Sequence, residues 1–195
     1  MIAILGTAWL AIGAWVTANW LRALGRPLAA RCVWTCGAAS LVVHVALAFH
    51  LVHGWDHGAA ERAVARETYE RTGLDWGGGI YVNHAFAALW FADAMWWWSA
   101  RRRYETRPRV LDGAVQFVFL FMFVNATVVF GADHTRVPGA VLCGLGAAAW
   151  WMWARQDRSS NPSLPLLLRV SREPVMRSRS LVGRSPPELF TCSSV

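Results

Sequence analysis

Five apolar segments decide what this chain can fold into: Ile2–Leu21, Val33–Val52, Ile80–Ser99, Val110–Gly131 and Val137–Ala154. Each has 18 to 22 residues. About 20 residues cross the ~30 Å hydrocarbon core of a bilayer when they rise 1.5 Å apiece in a helix. No water is present there to satisfy an open backbone, so a crossing segment has to be helical. The sequence therefore predicts an all-α, polytopic integral membrane bundle of five transmembrane helices, filling residues 1–155 and embedded in the cell membrane. Its first partner is the lipid bilayer.

Composition supports this reading. Only 16% of residues are charged, against about a quarter in soluble domains. The 13 tryptophans suit membrane–water interfaces, where an amphipathic ring is at home. Every one of the 19 basic residues is arginine. Without lysine there is no Schiff base, which excludes retinal and pyridoxal chemistry, and no Walker-type phosphate loop. The cysteines Cys32, Cys36, Cys143 and Cys192 form no CxxC pair and read as small apolar residues. The net charge of +7 lies in loops and in the tail, so it speaks of topology and not of nucleic acid.

The loops alternate in charge. Arg22, Arg26 and Arg31 follow the first segment; the second loop is net acidic; Arg101, Arg102, Arg103, Arg107 and Arg109 outnumber Glu105 in the third. The fourth holds Asp133, His134 and Arg136, and an arginine-rich tail follows the fifth segment. Arginine-rich loops stay inside, so the N-terminus is expected outside and the C-terminus inside. The first segment lacks the basic residues that precede a signal-peptide core and is expected to remain as a span. Small residues at 6, 14 and 18, and at 139, 144 and 146, suit close helix packing. Between the second and third segments, Ala59–Thr72 predicts a short extracytoplasmic surface helix capped by Gly73. The basic, Ser/Pro-rich tail, 156–195, is expected to be disordered, with anionic lipid as a contact.

The stretch His44–His57, HVALAFHLVHGWDH, concentrates the chemistry. On an ideal helix His50, His53 and His57 fall within about 60° of one another, while His44 lies about 180° from His53. The topology adds His84 and the pair Asp133–His134 to the same outer layer. Imidazole is the commonest biological metal ligand. His50, His53, His57, His84, His134 and Asp133 are thus candidate ligands for a transition metal, with Asp56 nearby, and His50 with His84 are candidate axial ligands for a haem. The boxes of the membrane di-iron desaturases, with their paired histidines, are not matched. A second polar layer consists of His44, Asp93, Gln116 and Asn125; Asp93 and Gln116 share a depth and are expected to pair.

Three functions compete. One is a redox or metal-binding membrane protein that uses the histidine layer. The second is a non-catalytic assembly or packing subunit held against other membrane subunits. The third is a small proton- or ion-coupled carrier working through Asp93.

Overall fold

The computed structural model describes residues 2–160. The tail beyond Ser160 lies outside the described residues. The described chain is helical, without a strand: α1 (Ile2–Ala23), α2 (Pro27–Ala48), α3 (His57–Thr72), α4 (Gly79–Ser99), α5 (Arg101–Glu105), α6 (Arg109–Val124) and α7 (Asp133–Ser160). Two π-helical turns, Phe49–His53 and Asn125–Val129, prolong α2 and α6.

Local chemistry sets the boundaries. α1 ends in a Schellman closure: Gly25 is left-handed at φ 69°, its N–H bonds the Arg22 carbonyl at 3.0 Å, and the Arg26 N–H bonds that of Leu21 at 2.9 Å. Pro27 then opens α2 at its first turn, where a missing N–H costs nothing. The helix consequently starts six residues before Val33 and takes in Arg31, whose guanidinium rests 3.9 Å over the Trp98 ring. Asp56 caps α3 through the Ala59 N–H at 3.1 Å, and left-handed Gly73 closes it, as expected. Arg62 of α3 pairs with the capping Asp56 at 3.7 Å.

The π-turn at Asn125–Val129 carries two side chains that bond back to the preceding helix. Asn125 Nδ2 donates to the Phe121 carbonyl at 2.8 Å, and Thr127 Oγ1 to the Phe123 carbonyl at 2.7 Å. The Phe121 carbonyl also keeps its bond from the Asn125 backbone N–H, and in the turn that follows the Phe130 N–H reaches the Asn125 carbonyl at 2.8 Å. Thr127 meets α7 where residue 139 is glycine; a Cβ there would stand 2.3 Å from Thr127 Cβ.

The long helices close a ring in the order α1, α2, α4, α6, α7, with α3 lying across the α2–α4 end. The core is aromatic. Trp34 stacks on Phe119 at 4.8 Å, Trp90 meets Phe119 edge-on at 4.8 Å, and Phe86 meets Phe123 at 5.7 Å. Glycines make room for the indoles: a Cβ on Gly37 would lie 2.4 Å from Trp90, and one on Gly146 would lie 2.1 Å from Trp15.

Four helical stretches are long and apolar enough to cross a membrane: Ile2–Ala23, Pro27–His53, Arg109–Val129 and Asp133–Gln156. These make the chain compatible with a multi-pass membrane protein. α4 has the length, at 21 residues, but not the apolarity, because Asn83, His84, Asp93 and four tryptophans dilute it.

Candidate functional site

Helix polarity gathers the N-termini of α1, α4 and α7 and the C-termini of α2 and α6 at one end of the ring. The histidines collect there, but not as one stripe. The π-turn and the loop behind it break the 100° projection. Gly54 and Trp55 are both left-handed, at φ 57° and 64°, and Trp55 is the one non-glycine residue so placed among the described residues. His57 therefore belongs to the next helix, as the first residue of α3. His50 is exposed and accepts from its neighbour Trp55, Nε1 to Nδ1, at 3.3 Å. His53 and His57 flank Phe49, with ring centroids at 5.8 and 6.2 Å. His57 and His84 stack almost parallel, 5.8 Å apart with 18° between their planes.

That stack brings together two of the candidate ligands, but face to face, whereas the nitrogen lone pairs that bind metals lie in the ring planes. No hydrogen bond or ring contact among the described residues joins His50 to His84. His134 is exposed, and Asp133 pairs with Arg136 at 3.1 Å. Among the described residues no group of three or more His, Cys, Asp or Glu side chains is arranged to hold a metal ion.

What the end of the bundle does contain is a cavity of about 240 Å³. Ala8, Ala11 and Ile12 of α1, Leu41 and Val45 of α2, and Phe86 and Phe123 build its apolar wall. Ala60 and Val64 of α3 face it from the loop side. Three histidines line it: His44, His53 and His84, with Asn83 beside them. His44 was expected to point away from His53, and the structure corrects this. A π-turn rotates less per residue than an α-turn, so His53 swings back towards the face of His44. Both π-turns border the cavity, through Phe49 and His53 on one side and Ala126 on the other.

The opposite end holds a constellation the sequence reasoning missed. Asp93 does not pair with Gln116. It accepts from Arg107 at 2.6 Å and from the Tyr104 hydroxyl at 2.8 Å. Arg107 also grips Asp112 through Nε at 3.0 Å and through its second terminal nitrogen. Asp112 further accepts from Arg22 at 2.9 Å and from Trp150 Nε1 at 2.8 Å. Two arginines and two aspartates cancel, and α1, α4, α6 and α7 are tied through one buried centre. Burial, with the Asp93 charge beside it, pushes the Tyr104 hydroxyl far above its ordinary pKa. Trp97 stacks on Tyr104 at 4.6 Å, and Trp153 lies 3.9 Å under Arg22. One turn deeper, Gln116 accepts from Trp15 Nε1 at 2.9 Å and from Asn19 at 3.2 Å. The readable signal was Asp112 itself, a carboxylate placed inside an apolar segment.

No protein-family model, curated protein or solved structure matches the chain.

Proposed function

We propose that the chain is a five-span membrane protein, N-terminus out and C-terminus in, whose outer half binds a small, largely apolar molecule. The observation that carries this reading is the shared cavity: three imidazoles and both π-turns border one space of about 240 Å³. Binding sites are commonly apolar hollows with a few placed polar groups, and π-turns are enriched at functional positions. An engineered apolar cavity of about 150 Å³ takes up benzene, so this one has room for a ring and its substituents. The orientation rests on the arginine-rich loops of the opposite end, and α4 counts as the fifth span because its carboxylate is neutralised within the protein.

Two measurements test the proposal. Reporter fusions after Gly58 and at the C-terminus should report the exterior and the cytoplasm respectively; the reverse would remove the outer-half assignment. Benzene added to the purified protein in lipid nanodiscs should give saturable binding that is lost in Ala48→Leu, which fills the hollow. Binding that never saturates, or survives Ala48→Leu, would overturn the pocket. An absorption spectrum with elemental analysis of the same sample should show neither haem nor a stoichiometric transition metal; either one would replace this reading by a metal-binding role for the histidines.

A further inference from the structure

The cavity carries a chemical direction, set by His44. Its Nδ1 lies 2.9 Å from the Ile4 carbonyl oxygen of α1. A carbonyl oxygen only accepts, so Nδ1 must bear the proton. The Thr7 hydroxyl stands 3.4 Å from the same nitrogen. Its own proton is directed at the carbonyls of Ala3 and Ile4, at 3.0 and 2.9 Å, so towards His44 it too presents a lone pair. Ser40 donates to the Thr7 carbonyl at 2.9 Å and fastens the same stretch of α1 against α2. The ring is thus fixed by α1 in one tautomer. In the neutral imidazole Nε2 is then a bare acceptor, and it has no partner among the described residues.

The rest of the lining suits an aromatic body. Phe49 approaches the His84 and His53 rings at 5.6 and 5.8 Å, and Phe86 and Phe123 stand edge to face on the inner side. We propose, resting on the pocket reading above, that the ligand is of the phenol class: a single aromatic ring between these side chains, its hydroxyl donating to His44 Nε2. His44 is then the residue that selects a donor-bearing ring over one without a donor. Phenol makes a hydrogen bond to this nitrogen that a ring without a donor cannot, which is enough for about tenfold discrimination.

The test compares phenol with methoxybenzene, which has the same ring but no O–H, on the full chain in nanodiscs. Wild type should bind phenol about tenfold or more tighter, and His44→Leu should bring the ratio of the two affinities near one. Equal binding of both probes by wild type would overturn the His44 assignment and leave the pocket standing. Binding of neither would overturn the pocket itself. Nitrogen NMR of the wild-type protein with labelled histidine needs no variant to fold. It should show a ring protonated at Nδ1 whose bare Nε2 shifts when phenol is added; no such ring, or no shift, would overturn the proposal.

Discussion

Replacing Asp112 by leucine should be among the most damaging single changes in the chain. The carboxylate is 2% exposed and accepts from Arg22, Arg107 and Trp150. Without it the buried Arg107 and the partly buried Arg22 face one carboxylate, Asp93, and one positive charge is uncompensated. Breaking a buried pair on one side costs about 3–5 kcal/mol, mostly as the penalty on the charge left behind. The loss of an acceptor for Trp150 Nε1 adds about 1 kcal/mol. Removing Arg22 as well should restore neutrality. In Arg22→Leu/Asp112→Leu, Arg107 and Asp93 remain at 2.6 Å as a neutral pair. The double variant should therefore lose at least about 2 kcal/mol less than the sum of the two singles, within the range such coupling terms reach. Tryptophan fluorescence during denaturant titration in mixed micelles reads all four stabilities, because Trp97, Trp150 and Trp153 touch the cluster. Additive losses, or a loss below about 1 kcal/mol for Asp112→Leu alone, would refute the claim that neutrality of the cluster holds these helices together.

Two further outcomes concern the packing and Tyr104. Gly37→Ala drives a methyl to 2.4 Å from a Trp90 ring already held by Trp34 and Phe119, and should cost about 1–3 kcal/mol; Gly6→Ala, with nothing within 4 Å, should be neutral or slightly stabilising in the same unfolding titration. Tyr104 keeps its proton in the folded state above the pH where the unfolded chain releases it, near pH 10. The folded state then holds more protons than the unfolded one, so stability is complete below about pH 10 and falls above it by at most about 1.4 kcal/mol per pH unit. Thermal unfolding at pH 9 and pH 11 should show a lower Tm at the higher pH, and Tyr104→Phe should shrink that difference; an unchanged difference would exclude Tyr104 as its source.

The long helices were legible, four of them as candidate spans, because length and apolarity are local properties and a 20-residue apolar run has few alternatives. Helix α3 was legible for another local reason: left-handed Gly73 marks its end. The Arg107–Asp112 centre was not, because its members are scattered from residue 22 to residue 150 and only the folded ring brings them together. The arginines counted for topology also hid this role, since Arg22 and Arg107 looked like loop charges and are internal counter-ions. His44 was misplaced for a geometric reason. A uniform 100° per residue carries it away from His53, and nothing in the letters FHLVH announces a π-turn. Even at Asn125 and Thr127, whose side chains bond back to the preceding helix, the residues alone do not say whether a helix will yield.

The two ends of the bundle divide the work that a folded chain has to do. At the arginine end, polar groups of the ion cluster are paired, rings stack on cations, and the short α5 brings Tyr104 and Arg107 back to Asp93. Such a centre has one low-energy arrangement, and it fixes the register of four helices at once. At the histidine end the local rules are broken repeatedly and close together: two π-turns and His44 border a cavity, and a left-handed tryptophan follows the first π-turn. Each departure has a cost, of order 1–3 kcal/mol for a residue held in a sparsely populated backbone region. Departures of this kind persist where the surrounding structure over-determines them. That both π-turns and His44 border one hollow is the physical ground for the pocket proposed at that end.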